Sequence, residues 1–200
     1  MRSAAEYQVI APGVFYWEVY APSVKADLSC CALATPDGLV FIDPIPLDAE
    51  PAAELSEVGP AAAIVLTNGN HPRAAEAYRE QWKAPILAHR EAVPELGIAI
   101  DQEIDDGALI AGGLQVVTLP GAGAGEIALV SPRRSVHLGD AVIHCEPYGF
   151  SMLPEKYCCD AKSLRVSLQK LLRFEFDLLT FAHGHPLAQQ AKQRLAQLVS

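Results

Sequence analysis

The sequence has 200 residues, half of them hydrophobic and a fifth charged, which excludes a disordered chain and predicts one globular domain over residues 1–200. The net charge of −9 and the isoelectric point near 5.1 argue against polyanionic partners, so we expect neither nucleic acid nor a membrane surface to bind. No basic segment followed by an apolar stretch opens the chain, and the five cysteines show no zinc-binding spacing. These features predict a cytoplasmic protein with reduced thiols.

The N-terminal half shows strands first and then alternating helices and strands. Two apolar runs joined by Thr35-Pro36-Asp37-Gly38 predict a hairpin, because a Pro-Asp-Gly sequence favours a tight turn. The predicted elements are strands over 14–20, 28–35 and 38–43, a helix over about 48–58, a strand over 62–67, a helix over 74–82 and a strand over 85–88.

The C-terminal half contains a second group of strands, over 114–119, 126–130, 136–140 and 178–182. The acidic, glycine-containing segment 101–113 predicts turns flanking a hairpin, and residues 144–157 predict a long irregular loop. Asp160 is placed to cap a helix with a leucine stripe, and a last helix is predicted to begin at His185. Two groups of strands with helices around each predict two stacked sheets with helices outside.

The segment from Ile64 to Arg73 is the first candidate site, because it joins a buried strand to a helix through a polar turn. Its candidate residues are Asn68, Asn70, His71 and Arg73. The alternative is an ordinary polar turn, in which the asparagines satisfy the loop backbone or cap the helix and His71 faces solvent.

Two later strand ends also carry polar side chains. Asp140 closes one predicted strand, and His183 and His185 follow the last one. Asp43 and Thr67 stand at two further strand ends, where we expect them to support the pocket loop through hydrogen bonds rather than to contact a ligand.

In chain order these strand ends resemble the corners of the metallo-β-lactamase fold. The family's motifs and their counterparts are Thr-His-x-His-x-Asp-His at Thr67-Asn68-Gly69-Asn70-His71-Pro72-Arg73, Pro-Gly-His at Pro120-Gly121-Ala122, Gly-Asp at Gly139-Asp140 and Gly-His-Gly at Ala182-His183-Gly184. The resemblance covers nearly the whole chain. It implies an α+β fold, a four-layer αββα sandwich in which helices flank two mixed β-sheets.

The same resemblance predicts that the family's metal centre is degraded. Members of the family typically hold two metals with seven ligands. By position, the first metal would have Asn68, Asn70 and Ala122, and the second would have Pro72, Arg73 and His183, with Asp140 bridging. Amides are poor zinc ligands, and a guanidinium about 4 Å from a divalent ion would repel it by roughly 8 kcal/mol at an effective dielectric constant near 20. We therefore expect no metal cofactor.

The first hypothesis is a non-hydrolytic relative in which Arg73 replaces the metal charge by pairing with Asp140. On this hypothesis the cleft keeps only a binding role. The oligomeric state stays open, and a homo-oligomer is compatible with the sequence.

The second hypothesis is that the protein retains hydrolytic activity. A single zinc, iron or manganese ion, held by Asp140, His183 and either His185 or His71, would polarise a water molecule for hydrolysis.

The third hypothesis is metal-free binding of a small anionic molecule. Helix N-termini are predicted after residues 70–72 and 185–186, and each offers free N–H groups and a partial positive charge. Arg73, His183 and His185 would add positive charge to that site.

Overall fold

Two facing β-sheets organise the computed structural model, which describes residues 2–200. The first sheet has seven strands in the order β1 to β7, antiparallel from β1 to β4 and parallel from β4 to β7. Its strands are β1 Gln8–Ala11, β2 Val14–Ala21, β3 Ala26–Thr35, β4 Gly38–Ile42, β5 Ala61–Leu66, β6 Ile86–His89 and β7 Gln102–Ile104.

The second sheet has five strands in the order β14-β11-β10-β9-β8, and a separate hairpin pairs β12 with β13. These strands are β8 Leu109–Ile110, β9 Leu114–Thr118, β10 Ile127–Ser131, β11 Ser135–Leu138, β12 Val142–Cys145, β13 Gly149–Met152 and β14 Leu178–Phe181. The helices are α1 Ala49–Val58, α2 Ala75–Trp82, α3 Val93–Leu96, α4 Ala161–Gln169 and α5 Ala191–Val199.

Three apolar cores define four layers. Strand β4 shows how, since Leu39 and Phe41 pack toward the helices while Val40 and Ile42 pack toward the second sheet. The first sheet buries its outer face under α1, α2 and α3, and the second sheet buries its outer face under α4 and α5. A sheet covered on both faces needs strands that are apolar throughout, which explains why β4 and β5 do not alternate polar and apolar residues. The predicted αββα sandwich is confirmed.

Several local predictions are confirmed as well. The Thr35–Gly38 turn closes the β3–β4 hairpin, with Thr35 paired to Gly38. Asp160 caps α4, where its Oδ1 accepts hydrogen bonds from the backbone N–H of Lys162 at 3.0 Å and of Ser163 at 3.2 Å. No helix within residues 2–200 is long and apolar enough to span a membrane.

Three local predictions differ from the structure. The turns predicted within 101–113 are present, but the hairpin extends beyond that segment, because β8 pairs with β9 across residues 111–113 while β7 pairs in parallel with β6. Residues 144–157 are not wholly irregular, since β12 and β13 pair there. The last helix begins at Ala191 rather than at His185, because Leu187 exchanges two backbone hydrogen bonds with Leu179 of β14 and stays extended.

Candidate functional site

The candidate site lies where four strands end at one edge of the sandwich. Strands β4 and β5 run parallel, as do β11 and β14, so each pair brings its carboxyl ends to the same edge. Asp43 follows β4, Thr67 follows β5, Asp140 lies two residues after β11, and His183 lies two residues after β14. The topology therefore brings together residues that are far apart in the sequence.

His71 occupies the centre of the site. Its ring is buried, with Nδ1 2.9 Å from Asp43 Oδ2 and Nε2 3.2 Å from Asp140 Oδ1. The alternative that His71 faces solvent is therefore wrong. The buried carboxylate of Asp43 and the partly buried one of Asp140 need hydrogen-bond donors, and an imidazole between them supplies one from each nitrogen when it is protonated. Burial and the nearby Arg73 lower the pKa of the His71 ring, but Asp43 and Asp140 outweigh both and raise it to about 9.

Asp43 and Thr67 fix the orientation of that ring. Asp43 is fully buried; its Oδ1 accepts a hydrogen bond from Thr67 N at 2.8 Å, and its Oδ2 accepts one from the Thr67 hydroxyl. Burial alone would raise the pKa of Asp43, but the charge of His71, the approach of His137 Nε2 to 3.8 Å and the hydrogen bond from His71 hold it well below the usual range. Asp43 and Thr67 therefore both contact His71 Nδ1 and hold each other through hydrogen bonds.

His183 approaches the same carboxylate from the other side. Its Nε2 lies 3.2 Å from Asp140 Oδ1, and its Nδ1 lies 3.0 Å from the backbone oxygen of Asp27. Burial raises the pKa of Asp140, but His71 and then His183 outweigh burial and hold that pKa well below its usual range. The facing ligand atoms of His71, Asp140 and His183 all lie within 4.8 Å of one another.

The hydrogen-bond partners decide which ring nitrogens carry protons. A backbone oxygen only accepts, so Nδ1 of His183 must be protonated. An ionised Asp43 also only accepts, so Nδ1 of His71 must be protonated too. Both Nε2 atoms then face the same oxygen, Oδ1 of Asp140, and a lone pair there would be repelled. A proton on Nε2 of His71 or a metal ion would remove this repulsion.

Arg73 lies beside the cluster but is turned toward backbone carbonyls. Its guanidinium donates to Ser29 O at 2.7 Å, Asp43 O at 3.1 Å and Ala182 O at 3.0 Å. Nη2 lies 3.4 Å from His71 Nε2. The predicted Arg73–Asp140 pair is wrong, since across residues 2–200 the ion pairs of Asp140 run to the two histidines. The reason is geometric: backbone carbonyls from both sheets lie around the guanidinium, and its five N–H groups can donate to several of them at once.

Asn68 and Asn70 have different surroundings. Asn68 is fully buried, and its Nδ2 donates to Glu126 Oε2 at 2.8 Å and to Asp140 Oδ2 at 3.1 Å. Its Oδ1 accepts a hydrogen bond from Asn70 N at 2.8 Å, a local turn interaction. Asn70 is exposed and lines the cleft.

Glu126 is the site residue that sequence reasoning misses. It is buried, and its Oε1 accepts a hydrogen bond from Ala141 N at 3.0 Å. Burial and then the nearby Asp140 raise the pKa of Glu126 to about 8, against the hydrogen bonds from Asn68 and Ala141. The sequence signal is a single acidic residue between the glycine-rich turn 121–125 and an apolar strand. An acidic side chain beside a buried strand needs a hydrogen-bond partner.

His185 does not join the cluster. Its exposed ring lies 3.3 Å from Glu18 Oε2, and the segment around it is not a helix start. The metal set that combined Asp140 and His183 with His185 is therefore replaced by the set with His71. The anion hypothesis also loses one of its helix N-termini, because α5 begins six residues later.

A cavity of about 1090 Å³ opens above the cluster. His71, Asp140 and His183 lie in its lining, with the β2–β3 connection and the segments around Tyr148 and Tyr157. A volume at the upper end of the range for small-molecule pockets fits a ligand far larger than a simple inorganic anion.

Comparison with known proteins agrees with this architecture. A family model described as the metallo-beta-lactamase superfamily matches residues 7–200. The chain belongs to the metallo-β-lactamase superfamily. No curated protein sequence matches it.

Solved metallo-β-lactamase structures share the fold. A metallo-β-lactamase from Erythrobacter litoralis superposes with a TM-score of 0.73 at 16% identity, covering 96% of this chain and 95% of that one. One from Pontibacter korlensis gives a TM-score of 0.73 at 19% identity, covering 97% and 98%. A structure described as a di-iron-bound form gives a TM-score of 0.65 at 23% identity, covering 88% and 96%.

The residues present do not fit the two-metal centre of the superfamily. At the first metal position, Asn68 is occupied by its own hydrogen bonds, Asn70 is exposed and Ala122 offers no ligand atom. At the second position Pro72 and Arg73 supply no ligand, but the neighbouring His71 joins Asp140 and His183 in a set of two imidazoles and one carboxylate, a combination that zinc and iron both accept. This cluster of three residues offers ligands for one ion.

Proposed function

We propose that this chain is a mononuclear metal-dependent hydrolase whose ion is held by His71 Nε2, Asp140 Oδ1 and His183 Nε2. The observation that carries the proposal is the convergence of two Nε2 atoms, each 3.2 Å away, on one carboxylate oxygen. Both rings have Nδ1 occupied by an acceptor, the arrangement that protein metal sites use to aim histidine ligands. When bound, the ion would lower the pKa of a coordinated water and polarise a carbonyl or phosphoryl oxygen.

The charges of the site favour a cation despite Arg73. The formal charges of Asp43, Asp140 and Arg73 sum to −1, so the two carboxylates more than offset the guanidinium. Arg73 is also held by three backbone oxygens rather than aimed at Asp140, which leaves the ligand oxygen free.

Other groups of the protein would orient the ligands and bind the substrate. Asp43 and Thr67 orient the His71 ring, and the Asp27 carbonyl orients His183. The large cavity would bind the body of an organic substrate over the cluster, with apolar side chains such as Val19, Leu28 and Ile143 in its walls. Water activation at the floor and an apolar wall above it suit hydrolysis of an ester, thioester, lactone or phosphodiester.

A second candidate is a metal-free protein that binds an anionic small molecule. One observation favours it: with a pKa of about 9, His71 carries a proton at neutral pH and can itself supply the cation between Asp43 and Asp140. In that case Arg73 and the two histidines would give the cleft its positive charge.

Elemental analysis of the purified protein separates the two candidates. The proposal predicts about one zinc, iron or manganese ion per wild-type chain after reconstitution. His71→Ala and His183→Ala should lose it, whereas His185→Ala should keep it, because that exposed histidine is outside the cluster. Hydrolysis of the four substrate classes should follow the metal content. Wild-type protein that binds no metal but is stabilised by organic anions would support the second candidate.

A further inference from the structure

The amide of Asn68 joins the buried carboxyl group of Glu126 to the partly buried carboxylate of Asp140. Its Nδ2 donates one hydrogen bond to Glu126 Oε2 at 2.8 Å and another to Asp140 Oδ2 at 3.1 Å, which uses both of its protons. Its Oδ1 is taken by Asn70 N at 2.8 Å, so the rotamer is held from both ends. Every polar atom of this fully buried side chain thus has a partner.

The two oxygens of Asp140 have different partners. Oδ2 faces Asn68, and Oδ1 faces His71 and His183. In the two-metal centres that the resemblance implies, the residue matching Asp140 bridges both ions. Here a neutral N–H donor meets one oxygen of that carboxylate instead.

Glu126 anchors the other side of the same network. Its Oε1 accepts a hydrogen bond at 3.0 Å from the backbone N–H of Ala141, the residue that follows Asp140. The backbone before Asp140 is equally confined, because a Cβ added at Gly139 would lie 2.5 Å from Thr67 Oγ1 and 2.6 Å from Glu126 Oε1. Glu126 therefore holds both the amide that faces Asp140 and the backbone that carries it.

We infer that Asn68 and Glu126 are positioning residues that replace the first metal of the superfamily's centre and aim Asp140 Oδ1 at His71 and His183. The hydrogen bonds of Asn68 and Glu126 form without any bound ion. The inference rests on the proposed function only in assuming that Asp140 Oδ1 is a metal ligand. A donor at position 68 is essential to it, since an acceptor there would face the ionised Asp140 carboxylate without a hydrogen atom between them.

The substitution Asn68→Asp tests the donor directly, with Asn70→Asp as its matched control. In chelator-treated protein, Asn68→Asp should lower the melting temperature by about 5 °C or more, because it buries a third acidic group against Glu126 and Asp140. Asn70→Asp should change it by less than about 2 °C, since Asn70 is exposed. Equal effects of the two variants would overturn the inference.

A metal readout separates positioning from simple loss of packing. Three clustered carboxyl groups form an oxygen site for a hard cation, so excess Mn²⁺ should restore most of the lost melting temperature of Asn68→Asp. That variant should also bind one more Mn²⁺ per chain than wild type. Asn68→Ala, which removes the donor without adding charge, should show neither effect. Manganese that fails to rescue or to bind Asn68→Asp would contradict the inference.

A measurement on the wild-type protein holds even if Asn68→Asp does not fold. In NMR spectra the side-chain NH₂ protons of Asn68 should exchange slowly with solvent, while those of Asn70 should exchange fast. Fast exchange of both would overturn the inference. If wild-type protein proves metal-free while these results hold, the proposed hydrolase falls and the positioning role of Asn68 and Glu126 stands.

Discussion

Replacing Asp43 with asparagine tests the support of the His71 ring. The substitution keeps the shape of the side chain but removes its charge and turns one acceptor into a donor. Asp43 is fully buried and accepts hydrogen bonds from Thr67 N at 2.8 Å, from the Thr67 hydroxyl and from His71 Nδ1 at 2.9 Å. The new NH₂ group would face the His71 N–H or the Thr67 hydroxyl, and His71 would lose one of its two counter-charges.

The magnitude follows from the burial of the pair. Breaking a buried ion pair by removing one partner costs about 3–5 kcal/mol. For a chain of this size each kcal/mol shifts the melting temperature by about 2–4 °C, so Asp43→Asn should lower it by about 6–20 °C. Differential scanning calorimetry measures this shift. Asp105→Asn is the control, because Asp105 pairs with Arg90 on the surface, where such pairs contribute about 0–1 kcal/mol. If Asp43→Asn melts within about 2 °C of wild type, the support assigned to Asp43 is wrong.

Two further predictions concern His71 and Arg73. Because the folded pKa of His71 is raised from 6.5 to about 9, its contribution is fully present below about pH 6.5 and is lost as the pH rises through 9. The difference corresponds to about 3 kcal/mol, so urea unfolding of chelator-treated wild type should show this loss of stability with rising pH and His71→Ala should not. Arg73→Lys should lose most of the stability that Arg73→Ala loses, because the guanidinium acts through three backbone hydrogen bonds that one ammonium cannot reproduce together. An Arg73→Lys variant as stable in urea as wild type would show that charge alone is required.

The fold could be predicted from the sequence because its determinants are local. Apolar runs such as 38–42 and 61–66 mark strands buried on both faces, and the Pro-Asp-Gly turn marks the hairpin. The motifs at the strand ends then occur in the same order along the chain as those of the metallo-β-lactamase fold. The errors at 101–113 and near His185 share one cause: backbone pairing with a neighbouring strand decides those segments, β8 with β9 and Leu187 with Leu179, and the residue types in them do not specify it.

The site was harder to predict because its contacts are long-range. The direction of the His71 ring depends on Asp43, 28 residues earlier in the chain, and on Asp140, much later. Asn68 meets Glu126 across 58 residues, so neither the buried asparagine nor the buried acid has a local sequence pattern. Arg73 donates hydrogen bonds to backbone carbonyls from both sheets, and no motif in the Arg73 loop predicts these contacts.

Anomalous X-ray scattering from crystals soaked with zinc or manganese tests the metal centre most directly. One peak within bonding distance of His71 Nε2, Asp140 Oδ1 and His183 Nε2 is the predicted result. No peak at that point, or two peaks with the second beside Asn68, would contradict a single-metal site.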